Sequence, residues 1–163
     1  MTKLKIKNAL ISLTDKNKIE IGAKKLKKLD INIISTGGTA KYLKSHSIDV
    51  IDITEMTNFP EILDGRVKSL HPKIFGGILY RRINKNDIDE KNKYEIPNID
   101  LVIVDLYPFG ETVKNGGTES EIIEKIDIGG IALIRAAAKN FNDVVCISSV
   151  RDYTTFLNIY IKN

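Results

Sequence analysis

Tryptophan is absent, cysteine occurs once and histidine twice in these 163 residues. One cysteine, Cys146, excludes an internal disulfide framework and fits a reducing, cytoplasmic setting. Its neighbours Val144, Val145 and Ile147 are apolar, so the thiol reads as a small buried hydrophobe rather than a reactive group. His46 and His71 lack metal-ligand spacing, and one cysteine cannot complete a zinc site, so no metal is expected. No Ser-His-Asp order stands out. Also lacking is an apolar run near the ~20 residues of a membrane span. The start, Met1-Thr2-Lys3-Leu4-Lys5, has no apolar core of a signal peptide.

What is present is the 42% hydrophobic and 28% charged content of a soluble globular chain, read as one domain over 1–163. The net charge of +4 comes from lysines scattered along the chain, not from a patch. With no exposed-aromatic RNA-binding signature, nucleic acid is not expected as a partner.

The apolar runs are short and alternate with helical patterns. Asn8–Leu13 reads as a strand, Ile19–Leu29 as a helix whose lysines face solvent, and Ile31–Ile34 as a second strand. Ala40–Leu43 begins another helix and Val50–Ile53 a third strand, with Thr54–Pro60 as loop. Arg81–Asn98 is a polar excursion with some helix, and Leu101–Leu106 is the clearest strand. Helices at Glu119–Ile126 and Ile131–Lys139, a strand at Val144–Ser148 and a final helix from Arg151 complete the series. Strand, loop, helix, strand is the rhythm of a parallel sheet covered by helices, with ligands at the carboxyl ends of the strands.

Polar stations follow the strands. Thr36-Gly37-Gly38-Thr39 lies between a strand and a helix, where free amides favour a phosphate; the alternative is a plain tight turn. Ser12 and Thr14-Asp15-Lys16 follow the first strand, either capping a helix or, with Lys16, attending the phosphate. Asp105 to Phe109 aims Tyr107 into a cleft or leaves it at the core edge. Asp127-Ile128-Gly129-Gly130 leads into Arg135 and Lys139, one helical face of like charge that an anion or Asp127 can compensate. For Lys139 alone, attraction to the helix carboxyl end is the competing reading. The densest station is Asp64 to Lys73, with three cations, a hydroxyl and an imidazole in ten residues.

Ser12-Leu13-Thr14-Asp15-Lys16, Ser35 to Thr39, Gly65-Arg66-Val67-Lys68-Ser69-Leu70-His71-Pro72-Lys73, Leu106 to Phe109, and Ile126 to Gly130 continuing through Arg135 to Asn140 carry a resemblance over nearly the whole chain. In that order they resemble the inosine monophosphate cyclohydrolase domain of bifunctional purine-biosynthesis proteins. The resemblance implies an α/β, three-layer parallel-sheet sandwich of the methylglyoxal-synthase-like, Rossmann-like type. It implies closure of 5-formamidoimidazole-4-carboxamide ribotide to inosine monophosphate with loss of water, without a cofactor or metal, in a cytoplasmic homodimer. Lys139 is the implied proton donor and acceptor, with Lys68, Tyr107 and Asp127 assisting. Ser12, Thr14, Asp15, Lys16, Thr36, Gly37, Gly38, Thr39, Arg66, Val67, Ser69, Asp105, Ile128 and Gly129 are the implied substrate contacts. His71 and Pro72 are expected to shape the loop and Lys73 to be solvated.

Two positions depart from the pattern. Asp105 stands where the family usually has Asn, placing a carboxylate near an anionic substrate or pointing elsewhere. Ser69 replaces the usual Thr and keeps the hydroxyl. The chain ends soon after Tyr153, so the formyltransferase portion is expected to lie elsewhere, on another domain or protein. Rival readings are a methylglyoxal synthase, which the missing Gly-Gly-Asp loop disfavours, and a non-catalytic nucleotide-binding regulatory module.

Overall fold

A computed structural model describes residues 4–149 together with Asp152, Tyr153, Thr155, Phe156 and Asn158. Its centre is a five-stranded parallel sheet of β1 (Asn8–Ser12), β2 (Asn32–Ser35), β3 (Ile51–Asp52), β4 (Leu101–Val104) and β5 (Val145–Ile147). The spatial order is β3-β2-β1-β4-β5. Leu10 lies in register with Ile34 on one side and Val102 on the other. The chain therefore runs outward from β1 in one direction, then returns to continue from β4 in the other. That reversal leaves a crevice beyond the carboxyl ends of β1 and β4, where open α/β sheets bind ligands.

Strand side chains alternate between two cores. Ala9, Ile11, Ile33, Leu101 and Ile103 meet Ile19, Ala23 and Leu26 of α1 (Ile19–Lys28) and Ala40 and Leu43 of α2 (Gly37–Ser45). Leu10, Ile34, Val102 and Val104 meet Ile53 of α3 (Ile53–Thr57), Ile74 and Ile78 of α4 (Pro72–Leu79), and Leu133, Ala136 and Ala137 of α8 (Gly129–Lys139). Burial on both sheet faces is why the strands read as continuous apolar runs. The three-layer α/β expectation holds. Among the described residues, no helix is long and apolar enough to cross a membrane.

Several boundaries differ from expectation. The third strand stops at Asp52, whose Oδ1 accepts from the Thr54 amide at 2.9 Å and starts α3 inside the expected strand and loop. Asp15 does not cap α1: its carboxylate accepts from the Asn17 amide, and the helix starts after Lys18 without a side-chain cap. His71 caps α4, its Nδ1 accepting from the Lys73 amide at 3.1 Å, with Pro72 in the first turn. The structural role expected of His71 and Pro72 is thereby seen. The polar excursion holds α5 (Lys85–Lys93), and α6 (Phe109–Lys114) precedes α7 (Glu119–Ile123). The final helix expected from Arg151 begins outside the described residues; Asp152, Tyr153, Thr155, Phe156 and Asn158 are helical.

Candidate active site

At the reversal point the loops after β1, β2 and β4 surround a cleft of about 500 Å³, within the ~300–1,000 Å³ typical of small-molecule sites. Residues of the expected stations line it: Ser12, Thr14, Lys16, Thr36, Gly38, Thr39, Arg66, Lys68, Ser69, Asp105, Tyr107, Asp127, Ile128 and Gly129.

The start of α2 is its most informative part. Thr36 precedes the helix in extended conformation and makes no side-chain cap, so the first-turn amides are left for a ligand. Its hydroxyl instead donates to Glu61 Oε1 at 2.9 Å. Thr39 Oγ1 donates to the Leu13 carbonyl at 2.9 Å and accepts from the Leu13 amide, tying the turn to the end of β1. Gly37 has φ 53°, which only glycine adopts readily, and a Cβ there would stand 3.3 Å from Lys68 Nζ. A Cβ on Gly38 would stand 3.4 Å from Lys16 Cε. Two ammonium groups thus stand at a helix amino end without a side-chain cap, with the Glu61 carboxylate beside Lys68, 3.5 Å from a Cβ placed on Gly37.

Lys68 and Arg66 come from a tight hairpin closed by the Ile62–Val67 bridge, with Leu63, Asp64 and Gly65 all at positive φ. Arg66 is exposed and its Nη2 donates to Glu124 Oε1 across the cleft, which raises the guanidinium above its ordinary pKa. Among the described residues no hydrogen bond or ion pair engages the Lys68 ammonium. Tyr107 is 40% exposed at the rim, with Lys125 Nζ 5.6 Å from its ring centroid.

Asp127 is an acceptor for backbone. Its Oδ1 takes the Gly130 amide at 2.6 Å and the Ile131 amide at 3.3 Å, and its Oδ2 takes the Tyr107 amide at 3.4 Å. It starts α8 and ties the Tyr107 loop to it. Ser69 is buried, and its hydroxyl lies 2.9 Å from where a Cβ on Gly129 would stand, so that position tolerates only glycine without a shift. Asp105 bonds the Thr14 amide at 2.5 Å and the Asp15 amide at 2.8 Å, so the family departure does point at backbone.

Four expected residues are not brought to the cleft wall. Asp15 turns its carboxylate to Asn17, a Cβ on Gly37 would stand 3.3 Å from Lys68 Nζ, and Val67 is spent on the hairpin bridge. Lys139 is the last residue of α8, whose first residue lines the cleft. At 1.5 Å per residue the two ends lie about 15 Å apart. Next to Lys139, Asn140 is buried at the carboxyl end of α8, donating to the Ile78 carbonyl at 2.8 Å. Lys139 is not among the residues lining the cleft that holds Lys68.

Glu124 and Glu61 were not foreseen. The first lies 58 residues from its partner Arg66 and the second 25 from Thr36, so no local spacing signals either pair.

Sheet order and crevice define an open, parallel α/β domain with a cleft at the reversal point of its sheet. The chain belongs to the family described as MGS-like domain, which matches residues 18–132. Among curated relatives, the bifunctional purine biosynthesis protein PurH of Bacteroides thetaiotaomicron is 50% identical over 159 residues, covering 98% of this chain and 31% of that protein. PurH of Bacillus subtilis is also 50% identical, over 154 residues, covering 94% of this chain and 30% of that protein. The chain thus spans about 30% of the length of these relatives. The crystal structure of ForH superposes with a TM-score of 0.81 at 33% identity, covering 97% of this chain and 81% of that one.

Proposed function

We propose that this chain is an enzyme of purine biosynthesis, an inosine monophosphate cyclohydrolase. The carboxamide nitrogen of 5-formamidoimidazole-4-carboxamide ribotide attacks the formyl carbon of the same molecule. The new N–C bond forms as the formyl oxygen departs in water, with one hydrogen taken from each reacting nitrogen. The observation that carries the reading is the uncapped start of α2 between Lys16 and Lys68, in one cleft with Tyr107. It suits a nucleoside monophosphate, and the PurH relatives give the pathway.

In this reading the α2 amides and Lys16 hold the phosphate. The fixed pose brings formyl carbon and carboxamide nitrogen together, a contribution worth up to ~7–11 kcal/mol in well-aligned intramolecular reactions. Lys68 and Tyr107 supply the donors and proton carriers at the closing ring, because both line its wall and, among the described residues, no hydrogen bond holds the Lys68 ammonium or the Tyr107 hydroxyl. Asp127 orients Tyr107 through the backbone. The family role implied for Lys139 requires a Lys139 from a second copy. The reading places the enzyme in the cytoplasm as a homodimer, with the formyl group supplied by a formyltransferase outside these residues.

Ring closure is followed by ultraviolet absorbance with purified protein. A rate no greater than the uncatalysed control, in protein that still binds inosine monophosphate, refutes the activity. Lys68→Met is expected to lower kcat by about 10²-fold or more with a small change in KM; a change confined to KM assigns Lys68 to binding.

A further inference from the structure

Asp105 follows β4 at the crevice where the sheet reverses, lines the cleft, and yet has both carboxylate oxygens committed. Its Oδ1 accepts from the Thr14 amide and its Oδ2 from the Asp15 amide at 2.8 Å. The peptide that carries the Asp15 N–H also carries the Thr14 carbonyl, and that carbonyl accepts from Lys16 Nζ at 3.2 Å. A single peptide group therefore stands between the Asp105 carboxylate and the Lys16 ammonium. Beyond it, Lys16 lies over Gly38 at the start of α2.

We propose that Asp105 is a positioning residue: it clamps the Thr14–Lys16 loop so that Lys16 completes the anion site, without touching the ligand itself. A carboxylate is suited to this because it offers one acceptor oxygen to each amide. Asparagine has one oxygen, and its NH₂ would face the second backbone N–H, donor against donor. Bonds from an amide to an ionised carboxylate are also about twice as strong as neutral ones. The same commitment makes a carboxylate compatible with an anion site, because each oxygen is turned to a backbone amide of the 14–15 loop rather than to the phosphate. In a loop with no side-chain cap on the helix that follows, this clamp is the main polar anchor of residues 14 and 15. Asp105 would thus set affinity at a distance, through Lys16. The proposal rests on the phosphate lying at the start of α2.

The test is calorimetric titration of ribose 5-phosphate and of inosine monophosphate into wild type, Asp105→Ala, Asp105→Asn, Lys16→Ala and the Lys16→Ala double variants, with urea midpoints as the folding control. Asp105→Ala is expected to weaken both ligands by the same factor, roughly tenfold. It should add nothing in the Lys16→Ala background, since coupled residues are non-additive. Asp105→Asn, nearly the same shape, should fall between. Loss of inosine monophosphate affinity with ribose 5-phosphate unaffected would mean direct contact with ribose or base, and overturns the proposal. Additive losses, or tighter binding by Asp105→Asn, overturn it as well. If Lys16→Ala leaves ribose 5-phosphate affinity unchanged, the phosphate placement itself fails; a Lys16-dependent affinity indifferent to Asp105 removes only the clamp.

Discussion

Asp127 shows at the scale of one residue how a chemically suggestive side chain can be committed to structure. Its carboxylate serves the amides of Gly130, Ile131 and Tyr107, so truncation to Ala removes a helix start and a loop tie together. Asp127→Ala is expected to cost about 1–2 kcal/mol, as lost caps do, and to reduce turnover by freeing Tyr107. A urea series reads the first effect; unchanged stability would show that another group replaces the cap. Cys146 follows simpler logic. Partial burial pushes its thiol up, and the residue packs against the α4/α8 core while staying half-buried, less enclosed than its apolar neighbours suggested. Ellman's reagent is expected to label it slowly in the folded protein and rapidly in urea; rapid labelling of the native chain would contradict this. Placement at the cleft was legible in the sequence where strand, loop and helix are consecutive, as for Lys16, Thr36, Gly38 and Thr39, which line it. The Arg66–Glu124 pair and the Asp105 clamp were not, because their partners stand 58 and about 90 residues away and only the sheet order joins them.

Among the elements, the buried strands were the easiest to foresee, since β1, β2 and β4 are apolar on both faces. The helix α4 was hidden by Gly76-Gly77, a pair that ordinarily argues against helix. Packing explains them: a Cβ on Gly77 would stand 2.5 Å from the Pro97 carbonyl oxygen and 3.2 Å from Ile99. The backbone of α4 must approach that close for Ile74 and Ile78 to reach the core. Gly77→Ala is therefore expected to destabilise by ~1–3 kcal/mol despite its better helix propensity, through overpacking. A stabilised variant in thermal unfolding would refute that account. The hairpin of Arg66 and the segment ending at Glu124 face each other across the cleft mouth, joined by an exposed ion pair that solvent screens. Arg66→Ala should thus leave stability nearly unchanged while weakening inosine monophosphate binding. Unchanged affinity would confine Arg66 to its pair with Glu124.

For the whole molecule, the question is how one chain's fold accommodates the residues the family pattern associates. Lys139 was legible as a motif residue but not as a member of this cleft, because a continuous helix carries it about 15 Å from Gly129. The side of the chain near the cleft is also unusually apolar. Phe109, Val113, Ile123, Ile126, Ile128 and Ile131 each keep between 40% and 56% of their surface exposed, and neither α6 nor α7 has a buried residue. A closed two-fold dimer would cover such a face and could bring one copy's exposed Lys139 toward the other's Lys68. Sedimentation is expected to show a dimer, and a monomer at assay concentrations would refute it. Mixing inactive Lys68→Met and Lys139→Met chains then separates the two geometries. If sites are shared, random exchange gives hybrid dimers with one intact site each, restoring about a quarter of the sites. No recovery in demonstrated hybrids would place Lys68 and Lys139 in the site of a single chain and refute the shared geometry.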